Sequence, residues 1–271
     1  MGSQNSLSGV FSILVLWGTV TLAIPLRGKH SWIVILCKYR DNDYEPKPPS
    51  WFWYWMNENR EGSISQYFEG VSNGVYDVSG SQVHGWFPLH YSRADVEGFA
   101  RADLLSGSVG DNIELLVFHR TKDLCLQEAI NQGVYIPDKK RVVTVINDDN
   151  TALFCRENGV LLTPSFLMSS ALAHEMAHSF HVGHSYSDKK TRVFPHSSVG
   201  EYDDKYDLMS TANALMHDSP YGLNGPGLNG AHLDYLGWLP IHALRYFGRN
   251  GKQVLLRTLQ TTIPTYVLLP D

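Results

Sequence analysis

The sequence predicts an α/β or α+β layer fold, in which a twisted mixed sheet is backed by helices. The chain has 271 residues, of which 43% are hydrophobic, so it can bury a core without a disulfide scaffold. Apolar, β-branched runs at residues 32–39 and 142–146 predict buried strands. Segments with helical spacing lie between these runs, and one long helix is predicted from about Ser165. Strands mixed with helices in this way are typical of layered folds.

The other elements follow from turn residues and hydrophobic spacing. Pro48 and Pro49 precede an aromatic-rich helix, and Gly80 separates two short strands within residues 75–87. Residues 186–230 are rich in Ser, Asp, Gly, Asn and Pro, which indicates a long functional loop. The predicted helices span residues 50–59, 63–71, 93–105, 123–132 and 231–238, and further strands lie within 152–162, as an edge strand, and after Gly251.

The charge balance and the N-terminus bear on partners and location. Lys and Arg number 22 against 27 Asp and Glu, a formal net charge of -5, so no basic surface for nucleic acid is expected. Residues 10–24 form an uncharged apolar run, shorter than the roughly 20 residues of a membrane-spanning helix. Small residues at Thr21 and Ala23 predict a signal peptide over residues 1–23 and therefore a secreted protein without a membrane span. A buried N-terminal strand or helix is the alternative.

The three cysteines allow at most one internal disulfide. Cys37 lies in the apolar run of the first long strand and is expected to be a buried strand residue. The predicted pair is therefore Cys125–Cys155, and three free buried thiols are the alternative.

The residues that carry chemistry are concentrated in the segment 171–185, ALAHEMAHSFHVGHS. His174 and His178 are four residues apart, so on a helix their imidazoles project from one face, one turn apart. Both can then reach a single ion at the distance of about 2.0–2.1 Å that is typical of zinc. Glu175 follows the first histidine directly and is placed to take a proton from water rather than to bind the ion.

A third histidine makes the motif more specific. His184 lies ten residues after His174, where the longer pattern H-E-x-x-H-x-x-G-x-x-H has its third ligand. The five-residue motif alone occurs by chance in about one such chain in fifty, and with His184 in about one in a thousand. Thr163 or Ser165 is predicted to cap this helix, with Pro164 in its first turn.

Met209 follows His184 by 25 residues, within the segment Tyr-Asp-Leu-Met-Ser. The combined pattern resembles the metzincin metalloproteases, in which a Met-containing turn lies beneath the metal. The resemblance implies a zinc-binding active-site helix and a loop-rich lower subdomain that contains the Met-turn. It also implies one Zn²⁺ ion as cofactor, with His174, His178 and His184 as its ligands and Met209 as a supporting residue.

The segment 228–238, LNGAHLDYLGW, is similar to the helix that follows the Met-turn in gametolysin-like and immune-inhibitor-A-like secreted metzincins. The specific similarity covers roughly residues 160–240. It implies a metzincin-like catalytic domain over residues 24–250, and residues 251–271 are expected either to extend its sheet or to begin a β-domain.

His181 departs from the metzincin pattern, which has glycine at this position so that the chain can turn sharply toward the third ligand. His adopts a positive φ more readily than most residues, although less easily than Gly, and Gly183 is expected to share the bend. The alternative is that His181 competes for the metal. It lies about 10.5 Å along a continuous helix from His174, so His184 is the preferred ligand.

The expected function is a secreted zinc endopeptidase that acts on a protein or peptide substrate, with Glu175 as general base. Tyr206 is either a second oxyanion donor or a packed side chain. The cluster of acidic residues between positions 201 and 207 is interpreted as part of a solvated loop, with Ca²⁺ binding as the alternative. Two other functions remain open: a secreted extracellular-matrix or binding protein on a metzincin frame with weak or no catalysis, and a zinc hydrolase acting on a non-peptide bond. The acidic cluster comprises Glu201, Asp203, Asp204 and Asp207.

Overall fold

The computed structural model describes residues 25–105, 112–156, 159–189, 191–210 and 216–240, together with two short C-terminal strands. The predicted signal peptide and its cleavage site lie outside the described residues. Within the described part of the chain, no helix has the length and apolar content needed to cross a bilayer.

Eleven strands and six α-helices can be assigned within this part of the chain. The strands are β1 (Gly28–Lys29), β2 (Ile33–Lys38), β3 (Tyr76–Asp77), β4 (Gln82–Pro88), β5 (Val142–Ile146), β6 (Leu153–Arg156), β7 (Gly159–Leu162), β8 (His217–Ser219), β9 (Gly222–Asn224), β10 (Leu256–Arg257) and β11 (Pro264–Thr265). The helices are α1 (Pro49–Asn57), α2 (Ile64–Val71), α3 (Arg93–Leu105), α4 (Ile113–Asn131), α5 (Ser169–His178) and α6 (Gly230–Tyr235).

The main sheet has five strands in the order β4-β2-β5-β7-β6. The first four are mutually parallel, and β6 pairs antiparallel with β7 at the edge. The sheet is therefore mixed, which confirms the predicted class of fold. The remaining strands form three short pairs: β1 with β3, β8 with β9, and β10 with β11. The two C-terminal strands thus pair with each other rather than with the main sheet.

Helices cover both faces of the sheet, which explains why its central strands are apolar throughout. In β2, Val34 and Leu36 join the core cluster on the side of α1, α2 and α5, whereas Ile33 and Ile35 join the cluster on the side of α3 and α4. Successive side chains of a strand point to opposite faces, so a strand that is buried on both faces has no polar alternation.

Several predicted boundaries differ from the observed ones. The helix predicted from residue 123 begins ten residues earlier, where the side chain of Asn112 accepts a hydrogen bond from the Leu115 amide. The predicted edge strand within 152–162 is the hairpin of β6 and β7. The helix predicted from Ser165 starts as a 3-10 turn, Pro164–Phe166, and α5 follows with Met168 at its N-cap. The proposed side-chain cap by Thr163 or Ser165 is therefore wrong, because neither residue precedes α5 directly.

The predicted Cys125–Cys155 disulfide is also wrong. Cys37 of β2 is bonded to Cys125 of α4, with the two Cα atoms 6.0 Å apart. Both residues are fully buried, because α4 packs on the face of the sheet to which Cys37 points. Cys155 is a half-buried thiol on β6 outside the disulfide, and its Sγ lies 3.1 Å from Ser179 Oγ.

Candidate metal centre

Helix α5 positions the first two histidines. Its apolar residues Leu172 and Met176 are fully buried in the core between the helix and the sheet. His174 and His178 occupy another face of α5, and the centroids of their rings are 4.7 Å apart. The four-residue spacing therefore brings two imidazoles together on one helix face, as the sequence predicts.

The third histidine comes from the segment after the helix. The His184 ring lies 4.8 Å from that of His178 and 5.6 Å from that of His174, between centroids. One nitrogen from each of the three residues lies within 4.8 Å of the others. Within the described residues, this triad is the one His/Cys/Asp/Glu group that could hold a metal ion.

The chain turns toward His184 at His181, whose φ is +63°. The Val182 amide donates to the Ala177 carbonyl and the His181 amide to the His178 carbonyl, the two hydrogen bonds of a Schellman ending. The left-handed residue of this motif is His181 itself, not Gly183. The exposed side chain of His181 lies outside the triad, so the residue serves as a turn rather than as a competing ligand.

Each ligand histidine is oriented through its Nδ1 atom. Nδ1 of His174 lies 2.8 Å from the Leu208 carbonyl and that of His178 lies 2.8 Å from the Val182 carbonyl. Nδ1 of His184 lies 2.8 Å from the carboxylate of Glu201. All three acceptors are oxygens, so each Nδ1 carries the hydrogen and donates it. The Nε2 lone pairs are then available for a metal, the arrangement found around metal-binding histidines in general.

Burial keeps the imidazoles of His174 and His178 neutral. It lowers the pKa of His174 to about 4, and the neighbouring His178 acts in the same direction. Burial also lowers the pKa of His178 below its ordinary value. Neutral imidazole is the form that binds metal, so these two histidines are in the required protonation state at pH 7 without an ion.

Glu175 is only 6% exposed and lines the same cleft as His174. Burial raises the pKa of its carboxyl to about 8, against the effect of a hydrogen bond from the backbone amide of Cys155. A buried carboxyl whose pKa lies near neutrality is suited to general acid–base chemistry.

Met209 is fully buried, in the core cluster that includes apolar residues of α5. Its amide donates to Asp207, and its carbonyl accepts from the Ser185 amide next to His184. Asp207 is itself fully buried and accepts a 2.7 Å hydrogen bond from the Asn229 side chain. The carboxylate therefore ties the Met209 turn to the start of α6, which Asn229 caps.

The acidic cluster is dispersed over separate partners. Glu201 binds His184, Asp207 holds the Met209 turn, and Asp203 accepts from the hydroxyls of Ser187 and Thr191. Asp204 accepts from the Tyr206 amide in a local turn. Each of these carboxylates thus has a role within the protein, and the alternative of a calcium site gains no support.

The site opens into a cleft of about 630 Å³. Its lining includes His174, Glu175 and Tyr202 near the triad and apolar side chains such as Leu153, Phe166 and Leu223. Tyr206, the oxyanion donor considered from the sequence, is 70% exposed and does not belong to this lining. A concave, largely apolar cavity with a few convergent polar groups is typical of a substrate site.

The sequence did not identify Glu201 as the partner of His184 or Tyr202 as a cleft residue. The Tyr202 ring lies 4.1 Å from that of His184. Burial raises the pKa of its phenol, and the carboxylates of Glu201 and Glu175 act in the same direction. Both residues lie in a loop without hydrophobic periodicity, so no sequence pattern predicts where they lie. Glu201 could have been sought only from the general rule that a ligand histidine needs an oxygen partner.

Comparisons with protein families and with curated proteins add nothing to this geometry, which is therefore the main evidence on function. No protein-family model matches the chain, and no curated protein matches it.

Proposed function

We propose that this protein is a secreted zinc-dependent endopeptidase of the metzincin type. The observation that carries the proposal is the triad of His174, His178 and His184, each fixed through Nδ1 to an oxygen, with Glu175 in the adjoining cleft. Three histidines with an open position are one of the ligand sets of catalytic zinc.

The donor set fits zinc in particular. Imidazole nitrogen is a preferred ligand of Zn²⁺, whereas Ca²⁺ and Mg²⁺ require oxygen donors. The buried Met209, whose carbonyl accepts from the amide of Ser185 next to His184, and the loop-rich segment after α5 agree with the metzincin resemblance. Secretion is supported by the Cys37–Cys125 disulfide, since disulfides persist in oxidising compartments.

The residues of the cleft have different roles in peptide hydrolysis. A bound zinc ion supplies a Lewis acid that polarises a carbonyl and lowers the pKa of water toward about 7. Glu175 ionises more readily beside a cation and accepts the proton of the attacking water. It then passes this proton to the departing amine. The apolar cleft walls hold a substrate side chain and exclude solvent.

Metal binding is tested with two histidine variants. We expect the full chain to bind one zinc ion and His184→Ala to lose it, because a four-coordinate site with two protein ligands is far weaker. His181→Asn is the matched control: the side chain at this position is exposed, asparagine also tolerates the positive φ of the turn, and zinc binding should stay within about threefold of the wild type. Competition with a chromogenic chelator measures both. Loss of zinc in the control instead of in His184→Ala would contradict the ligand set.

Catalysis is tested with fluorescent casein and the variant Glu175→Gln. The wild-type zinc form should cleave casein, whereas the variant should bind zinc but lose at least about 100-fold in rate, since general-base catalysis contributes 10²–10⁴. If the wild type binds zinc but shows no casein cleavage that Glu175→Gln abolishes, the alternative function of a secreted binding protein is favoured instead. Hydrolysis of ester but not peptide substrates would favour a hydrolase that acts on a non-peptide bond.

A further inference from the structure

Tyr202 is held between the third metal-ligand candidate and a second aromatic ring. Its ring lies 4.1 Å from His184, tilted by 43°, and 5.4 Å from Phe194 in an edge-to-face contact. Both Tyr202 and Phe194 line the cleft that also contains Glu175. The phenol is therefore fixed by packing at the point where the cleft meets the triad.

The backbone of Tyr202 is strained in a way that supports this placement. Its φ is +63°, and it is one of three non-glycine residues with a positive φ in the described part of the chain. This left-handed conformation is unfavourable for an L-residue other than glycine. It is maintained by a 3.0 Å hydrogen bond from the Tyr202 amide to the Ser185 carbonyl and by the neighbouring Glu201–His184 contact. Strain that the surroundings enforce is concentrated at functional sites.

Peptide hydrolysis requires a donor at this place. As water adds to the scissile carbonyl, its oxygen becomes negatively charged, and a preorganised donor aimed at that oxygen lowers the barrier. A phenol carries an O–H donor, so Tyr202 brings a hydrogen-bond donor to the cleft beside the triad.

We propose that Tyr202 is a catalytic residue that donates a hydrogen bond to the carbonyl oxygen of the scissile peptide as that oxygen becomes negative. The proposal rests on the proposed endopeptidase function. In the first step the water oxygen bonds to the carbonyl carbon, the π electron pair moves to the carbonyl oxygen, and Glu175 takes the water proton. In the second step this pair re-forms the carbonyl, the C–N bond breaks, and the amine leaves with the proton from Glu175. Tyr202 keeps its own proton throughout.

The test compares Tyr202→Phe with Tyr206→Phe in the zinc-loaded full chain. Both variants lose one hydroxyl, but Tyr206 is exposed outside the cleft. For Tyr202→Phe we expect kcat on a fluorogenic peptide, built on the first bond cut in casein, to fall about 10²–10³-fold, the loss seen for one oxyanion donor. KM and zinc content should stay within about threefold, and Tyr206→Phe should match the wild type.

A second measurement uses a phosphinic peptide of the same sequence, which mimics the tetrahedral state. Its affinity should fall at least about tenfold in Tyr202→Phe, whereas the affinity for the substrate peptide, measured in a Glu175→Gln background, should be unchanged. An unchanged kcat, or a change confined to KM, would overturn the role of Tyr202 while the endopeptidase function stands. A wild-type protein that neither cleaves the peptide nor binds the phosphinic analogue would overturn both.

Discussion

Nδ1 of His184 and Oε1 of Glu201 lie 2.8 Å apart, which makes Glu201 the carboxylate that orients the third histidine. Glu201 is separately anchored by a hydrogen bond from the Ser198 amide, and this bond, followed by the contact with His184, lowers the pKa of its carboxyl. Glu201 is therefore ionised at neutral pH, and its charge fixes the tautomer of His184 and the orientation of its ring.

Removing the Glu201 carboxylate should weaken zinc binding without removing a ligand. For Glu201→Ala we expect the zinc affinity to fall about 10–100-fold, as is usual for partners of ligand histidines. Chelator competition at pH 7 measures the change. Asp203→Ala is the matched control, because this carboxylate accepts from Ser187 and Thr191 and contacts no member of the triad. An equal loss in both variants would mean that the loop has collapsed and would refute the specific role of Glu201.

The buried carboxyl of Glu175 should make the stability of the metal-free protein fall as pH rises. Its pKa is about 8 in the folded state against 4.5 for the ordinary carboxyl, so between these values the folded state binds a proton that the unfolded state has lost. The free energy of unfolding then decreases with pH, by at most about 1.4 kcal/mol per unit.

The pH range for this measurement is set by the histidines. The lowered pKa values of His174 and His178 have the opposite effect on stability. Below about pH 6.5 the unfolded state binds protons that these buried histidines do not, so the free energy of unfolding rises with pH until about 6.5. Between pH 6.5 and 8 the Glu175 effect should dominate, with a fall of about 1–2 kcal/mol in urea unfolding with EDTA. Glu175→Gln should remove this fall. A wild-type curve that is flat or rising over the same range would contradict the burial of this carboxyl.

Local signals predicted the parts of the fold that depend on short stretches of sequence. The β-branched runs of β2 and β5 predict strands buried on both faces, and the spacing of His174 and His178 predicts their common face on α5. The start of α4 was missed because Thr121 and Lys122 lie on its buried side and interrupt the apolar pattern.

Long-range pairings could not be predicted in the same way. The partner of Cys37 is decided by the packing of α4 against the sheet, which no local pattern encodes. Glu201 and Tyr202 reach the triad only because the loop folds back on Ser185, where the Tyr202 amide donates a hydrogen bond to the Ser185 carbonyl. The roles of Glu201 and Tyr202 therefore depend on tertiary structure, whereas the placement of His174 and His178 depends only on the geometry of one helix.

The Cys37–Cys125 bond should contribute substantially to stability. It closes a segment of 88 residues between β2 and α4, and removing a native disulfide typically costs about 2–5 kcal/mol. We expect this loss in the free energy of unfolding for the double variant Cys37→Ala/Cys125→Ala. Cys155→Ala should cost less than the double variant, about 1 kcal/mol, since it closes no loop and its side chain is only partly buried. Reducing agent should destabilise the wild type but not the double variant; equal sensitivity of both would argue against this pairing.

Two adjacent serines of α5 should respond to alanine substitution in opposite directions. The Ser169 hydroxyl accepts a 2.7 Å hydrogen bond from the Trp55 indole and donates to the Gly62 carbonyl. The Ser170 hydroxyl is equally buried but has no hydrogen-bond partner among the described residues. Ser169→Ala leaves two buried groups unpaired and should lower the free energy of unfolding by about 1–3 kcal/mol.

Ser170→Ala removes an unpaired polar atom and introduces the best helix former, so the free energy of unfolding should rise by about 0.5–1.5 kcal/mol. Urea unfolding of both variants with EDTA, compared through their midpoints at equal slope, measures the difference. A buried water that bonds Ser170 would reverse its sign, since such waters satisfy otherwise unpaired groups and are costly to remove. A loss in Ser170→Ala comparable to that of Ser169→Ala would therefore show that the hydroxyl is hydrated within the core.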